Sequence, residues 1–291
     1  MKLSHGWDRG VAVFDDVNLV SCAGLVPVLE LAEQTGLSEL LDEHVRFTSE
    51  LVKSGAANPT PKLTSIIGGL LADADSINDL DVIRSGGMHR LFTGVYAPTT
   101  MGTLLREFTG GHVRQLQAVQ SRHLLALADR TTVLDGIAER AFVDIDSLLR
   151  PVYGHAKQGA SFGHTKIAGK QVLRRGLSPM ATTISTPRAA PVVAGIRLRA
   201  GRAGSGRGAA SMVTEAINTA KAAGAKDILV RGDAAYGSSA VINAALRAKV
   251  TFSLVLTRQP PVNRATDSIP ADAVPVKYPG AVKGPDRGAG C

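Results

Sequence analysis

The chain has 291 residues, enough for one large domain or two, and 44% of them are hydrophobic, as in an ordinary globular protein. Its formal net charge of +8 favours an anionic partner. No stretch approaches the ~18 apolar residues of a membrane span, and Met1 to Asp16 lacks the apolar centre of a signal peptide. The two cysteines, Cys22 and Cys291, stand at opposite ends of the chain without metal or disulfide spacing. A cytoplasmic protein with no membrane partner is expected.

In chain order, the front half reads as helical. "GLVPVLELAEQTGL" carries apolar residues at helical spacing up to a stop at Gly36, and "SELLDEHV" follows behind a Ser38 cap. "KLTSIIGGLLADADS" and "SINDLDVIRSGG" continue the pattern. "TTMGTLLREFTGG" starts at a Thr cap and ends at paired glycines, and "HVRQLQAVQSRHLLALADR" is a long amphipathic helix. The sole strand candidate this early is "GVAVF". From residue 140 the texture changes, with β-branched alternation in "RAFVDIDSLL", "PVVAGIRLRA", "DILVRGD" and "TFSLVLTR". Between the later strands lie helices in "GAASMVTEAINTAKAAG" and "SSAVINAALRA". The order strand, helix, strand, helix, strand predicts an α/β unit. After Arg258 the text is rich in Pro, Gly and Ala, a composition that buries too little to order a tail. The expected division is 1–135 helical, 136–258 α/β, and 259–291 a poorly ordered tail.

Charge is unevenly spread along this plan. From Met1 to Gly110 there are 14 Asp and Glu against 8 Lys and Arg. From Ser147 to Thr214 there are 11 Lys and Arg and no acid. Such a run suits a polyanion. Only Tyr153 and Phe162 offer stacking rings there, so contact with a duplex backbone fits better than single-strand stacking.

Asp144 and Asp146 lie two apart on a predicted strand and so point to one face. Asp233 ends another strand, where α/β sheets place ligand-binding groups. Carboxylates on neighbouring strand ends can hold Mg²⁺, which takes few carboxylates and fills its other positions with water or phosphate oxygens. The plainer alternative makes Asp233 a helix cap and leaves Asp144 facing solvent. A second alternative is Gly204-x-Gly206-x-x-Ala209, which has the outline of a dinucleotide fingerprint, although Arg199 and Arg202 separate its glycines from the strand. No Gly-Lys-Ser/Thr follows those glycines, which excludes a Walker loop. His155 and His164 have no ligand spacing and are at most phosphate contacts. No nucleophile elbow is present, and Cys22 has no partner base.

"FVDIDSLLRPVYGHAKQGASFGHTK" and "ILVRGDAAYGSSAVINAALRAKVTFSLVLT" together resemble the DDE transposases of insertion sequences, in particular the IS1380 group of the IS4-like set. The upstream "ADADSINDLDVIRSGGMHRLFTGVYAPTTMGTLLREFT" is similar to the helical N-terminal region of that group. The resemblance implies a helical DNA-binding or dimerisation region before an RNase H-like core, a mixed sheet with flanking helices. It also implies cutting and joining of double-stranded DNA at element ends with Mg²⁺ (or Mn²⁺) held by two Asp and one Glu. The first catalytic Asp falls on Asp146 of Asp146-Ser147-Leu148, where Leu148 departs from the family Thr, and Asp144 becomes a supporting residue. The second falls on Asp233, with Arg231 beside it. Lys157, Lys166, Lys170, Arg174, Arg175 and Arg231 are the expected DNA contacts. No Glu follows Glu215, and Asp267, Asp272 and Asp286 match nothing in the family. The family pattern also ends near Val282, as in a frameshifted or truncated frame. The expectation is an RNase H-like core without its third carboxylate: an inactive transposase, alone or paired as a homodimer or with an intact transposase, or a non-catalytic DNA-binding remnant.

Overall fold

The computed structural model describes residues 16, 18–47, 54–92, 94–154, 157–204 and 206–270. Five α-helices come first: α1 (Leu25–Gln34), α2 (Leu37–His44), α3 (Pro59–Leu71), α4 (Pro98–Glu107) and α5 (Gly110–Arg130). Short 3₁₀ turns at Asn78–Ile83 and Gly86–Arg90 take the place of the helix expected in "SINDLDVIRSGG". Three capping expectations are corrected. α4 starts at Pro98 behind the N-cap Ala97, so Thr99 and Thr100 lie inside the helix and do not cap it. Ser38 lies inside α2, whose N-cap is Gly36 in the left-handed region at φ 76°, and the Ser38 hydroxyl instead donates to Glu33. Gly110 and Gly111 do not end a helix but begin α5. Thr109 caps that helix through a reciprocal box with His112, which satisfies the donors that two glycines alone would leave open. The early strand candidate "GVAVF" lies outside the described residues.

The second half forms two sheets. The strands are β1 (Ala141–Ser147), β2 (Arg150–Pro151), β3 (Ser161–Ile167), β4 (Lys170–Leu177), β5 (Met180–Ser185), β6 (Val192–Arg197), β7 (Ile228–Gly232) and β8 (Thr251–Leu254). The larger sheet has the order β6-β5-β1-β7-β8. In it β6, β5 and β1 run antiparallel, while β1, β7 and β8 are parallel. This is the mixed, helix-flanked sheet expected of an RNase H-like core. The crossover helices are α6 (Ala209–Ala222) and α7 (Ser239–Ala248). Ala209, Met212, Val213, Ala216, Ile217 and Ala220 of α6 are buried at the spacing of one helical face. They meet Ala141, Val143, Ile145, Met180, Ile184 and Val230 in the main core. Leu124 of α5 belongs to that core too, whereas Val119 of the same helix belongs to a separate cluster with Leu37, Leu41, Leu63 and Leu104. The helix therefore joins the two halves of the chain.

The smaller sheet, in the order β2-β4-β3, was not foreseen, and neither was β5. β3 and β4 are paired from Ser161↔Gly176 to Ile167↔Lys170. Their connecting residues Ala168 and Gly169 both have positive φ, 48° and 77°. That is the geometry of a type I′ hairpin turn, in which Asn-Gly is the usual signal and Ala-Gly is a poor one. Gly201 lies against the base of this hairpin, where an added Cβ would come within 2.2 Å of the Ser161 carbonyl oxygen and 2.4 Å of that of Gly176. In the expected tail, Pro260–Asp267 forms a short helix, α8, with no buried side chain, and residues 271–291 lie outside the described residues.

Candidate active site

The parallel pairing of β1 with β7 builds the site. Its register matches Asp144 with Arg231 and Ile145 with Gly232, so the next residues, Asp146 and Asp233, stand at adjoining strand ends. Both are exposed. They open into a cleft of about 390 Å³ that Asp144, Arg231 and Ser253 also line. Alternation along β1 buries Val143 and Ile145 in the core and turns Asp144 and Asp146 to the opposite face.

The three acids of this edge have different partners. Asp144 accepts two hydrogen bonds from Arg231, Nε to Oδ1 and Nη2 to Oδ2, each 2.7 Å. The Arg231 guanidinium also lies 4.4 Å from the centroid of the Phe142 ring, and its hydrogen bonds to Asp144 raise its pKa further above the ordinary value. Asp144 is thus neutralised locally. Asp146 Oδ1 accepts only from the adjacent Ser147 N–H (2.6 Å), and Asp233 Oδ1 accepts from Ala235 N–H (2.9 Å). Asp233 therefore orders the turn after β7, while the cap of α7 is Ser238, whose side chain accepts from Val241 N–H. Gly237 seats this turn against the residue that follows β8, since a Cβ there would lie 2.2 Å from the Val255 carbonyl oxygen.

Tyr236, three residues after Asp233, is 1% exposed and belongs to the main core with Val143 and Ile145. Its hydroxyl approaches the Ser147 side chain without a hydrogen bond of normal geometry. Burial pushes its phenol above the ordinary value. Ser147 acts in the opposite direction, the charges of Asp146 and Asp233 add to the rise, and Arg199 opposes it. Nothing in the spacing of the sequence singled out this residue.

Two exposed carboxylates, with a third engaged by arginine beside them, form an oxygen donor set. It suits one hard divalent cation that keeps most of its positions for water or phosphate. Among the described residues no group of three or more His, Cys, Asp or Glu could hold a metal ion. Glu215 is committed elsewhere, to Arg114, Arg197 and Gln117, and Asp267 is exposed on α8.

The cationic stretch is largely this small sheet, which starts three residues beyond the end of β1 and returns through Leu148 N–H bonded to the Pro179 carbonyl (3.1 Å). Lys157, Lys170 and Arg174 are exposed and enter no ion pair among the described residues. Lys170 and Arg174 share one face of β4. Arg175 is half-buried and donates to the Gly154 carbonyl, bracing the hairpin. Lys166 lies on β3, and the structure does not describe its side chain; His155 lies outside the described residues, while His164 is exposed on β3. Two further cations of the run serve the fold: Arg188 pairs with Asp135 and Glu139, and buried Arg199 bonds Ser178 and the carbonyls of Gly204 and Arg207. The dinucleotide alternative fails on topology. Its glycines follow β6, an edge strand separated from β7 by β5 and β1, whereas the fingerprint needs adjacent parallel strands.

A comparison with curated proteins gives no match. Among solved structures, the chain is similar to the Mos1 transposase paired-end complex with left transposon end, at 10% identity and a TM-score of 0.25, over 71% of this chain and 61% of that one. It is similar to the Mos1 strand transfer complex at 11% identity and a TM-score of 0.24, over 75% of this chain and 63% of that one. The chain thus spans about three-fifths of the length of these transposases, and a likeness this distant assigns no residue. Residues 8–281 match the family model of the group 1 transposase DDE domain, which covers nearly the whole chain, cation stretch and acid pair included, and the chain belongs to that family.

Proposed function

We propose that the chain is a transposase of an insertion sequence, of the IS1380 group, that binds double-stranded DNA at element ends and holds Mg²⁺ or Mn²⁺ with Asp146 and Asp233. The observation that carries this reading is the β1–β7 register, which sets two free carboxylates side by side where the acid-free cationic hairpin leaves the sheet. When bound, the cation supplies Lewis-acid stabilisation of charge on a phosphoryl oxygen. The protein's share is positional. Asp146 and Asp233 offer the ligand oxygens, and Arg231 holds Asp144 away from them. Lys157, Lys166, Lys170, Arg174 and Arg175 draw the phosphate backbone to that edge, with the helical front half as a second DNA or dimer surface.

Positioning in a two-metal phosphoryl transfer needs more than two carboxylates. Asp144 is taken by Arg231 and Glu215 by its own network. In this reading the described residues bind DNA and metal, and cutting needs a third carboxylate from outside them, supplied by further chain or by an intact transposase. The second reading is a DNA-binding remnant without catalysis. Metal binding separates the two. Under the first, Mn²⁺ binds the purified chain and Asp233→Ala abolishes that binding, while DNA affinity still falls steeply with salt. Absence of Mn²⁺ binding in the unaltered chain leaves only the remnant. Mg²⁺-dependent cleavage of element ends that disappears in Asp146→Ala would show that the two carboxylates suffice.

A further inference from the structure

The Asp144–Arg231 pair is partly exposed, and pairs of that kind add little to stability. Its form says more than its strength. Arg231 donates from Nε and Nη2 to the two oxygens of Asp144, at 2.7 Å each, which occupies one side of the guanidinium. Both N–H groups of Nη1 and the second of Nη2 are left over, and the planar fork between those nitrogens matches two oxygens of a phosphate. The Phe142 ring, its centroid 4.4 Å from the guanidinium, fixes the plane of the fork. Arg231 is thus held by an acid at its side and a ring against its face, with one fork unspent.

β8 completes the row. Its register sets Ser253 beside Arg231, as that of β1 sets Asp144 on the other side. Ser253 is exposed, offers a hydroxyl donor, and lines the same cleft as Arg231, Asp146 and Asp233. Asp146 stands two residues beyond Asp144 on the same face, about 7 Å further along the strand. The cleft is therefore divided, with donors in one row and free acids in the next.

We propose that Arg231 and Ser253 form the phosphate-binding half of this cleft, taking a backbone phosphodiester of the DNA, with Asp144 and Phe142 as positioning residues that aim the guanidinium. The proposal rests on the reading of Asp146 and Asp233 as a cation site. Two bare carboxylates repel an anion, and a cation on them removes that repulsion. Cation and phosphodiester therefore favour one another's binding, and such coupling is reciprocal. Arg231 so serves the phosphate next to the acids, whereas the hairpin cations Lys170 and Arg174 attract the duplex as a whole.

The test is Mn²⁺ titration of the full chain, read by electron paramagnetic resonance with and without dimethyl phosphate, a diester with the charge of one backbone unit. Thermal melting in EDTA accompanies it. In the unaltered chain the diester is expected to lower the Mn²⁺ dissociation constant about tenfold. Arg231→Lys keeps the charge but loses the planar fork, so the gain should vanish. It should shrink in Asp144→Asn, where the guanidinium loses its guide, and in Ser253→Ala, whose exposed position keeps a loss of folding out of the result. An ion pair that merely served the fold would give lower melting for Arg231→Lys with the gain undiminished, and that outcome overturns the proposal. A gain from inorganic phosphate but none from the diester overturns the assignment to DNA backbone. If the unaltered chain takes up Mn²⁺ and the diester changes nothing, the cation site stands and the phosphate half falls. If it takes up no Mn²⁺ under either condition, both fall together.

Discussion

Asp144 and Asp146 have the same residue type, strand and face, yet they do different work. The difference comes from what β7 places opposite them: Arg231 beside Asp144, and Gly232 before the free Asp233. Breaking the Asp144–Arg231 pair has two separable effects. Asp144→Asn is expected to cost about 1 kcal/mol of stability, because both partners remain partly exposed and water compensates much of the loss. It also frees an arginine charge beside the acid pair, so Mn²⁺ affinity should fall although no proposed ligand has been touched. Calorimetric unfolding and Mn²⁺ titration of the one variant check both, and unchanged affinity would mean that the guanidinium stays on Phe142 after the acid is gone.

At the scale of elements, the β3–β4 hairpin decides how the cations are used. The sequence presents 11 positive residues as a run, whereas the fold divides them. Arg188, Arg197 and Arg199 hold the protein together, and Lys157, Lys170 and Arg174 are left to solvent. The double variant Lys170→Ala/Arg174→Ala should weaken binding to all duplex sequences alike. It should also reduce the slope of log affinity against log salt by about 2, near 0.9 for each phosphate that the variant no longer neutralises. Gel-shift titrations at several salt concentrations measure that slope; an unchanged slope would place the DNA elsewhere. The hairpin escaped the sequence reading for a specific reason. Its turn is Ala168-Gly169, not Asn-Gly, and its strands carry charge at exposed positions where apolar alternation would have shown. The α5 cap was misplaced for a related reason, since paired glycines read as a stop until Thr109 and His112 are seen to bond across them.

Over the whole molecule, α5 and Glu215 couple the helical half to the sheet. Glu215 on α6 accepts from Arg114 (3.1 Å) and Gln117 (2.7 Å) of α5 and from Arg197 (3.1 Å) of β6. Glu215→Ala leaves two cations facing each other across that junction. A loss of about 1 kcal/mol is expected for a network that is over a third exposed, which lowers the melting temperature by about 2–4 °C in a chain of this size. Differential scanning calorimetry reads the shift. No shift would mean that Leu124 and the apolar face of α5 carry the junction alone. Among the described residues, no helix is long and apolar enough to cross a membrane.

By itself the sequence determined the order of the long helices and of strands β1, β6, β7 and β8, because helical and strand periodicities are local properties of apolar spacing. It also determined which acids and cations are present, and so which chemistry the chain can attempt. The tertiary structure alone decided that Asp146 and Asp233 are neighbours, since 87 residues separate them and only the parallel register of β1 and β7 closes that distance. It alone decided that Asp144 is spent on Arg231 and that Glu215 lies in another network. Long-range pairing, which local spacing does not encode, made each of those assignments.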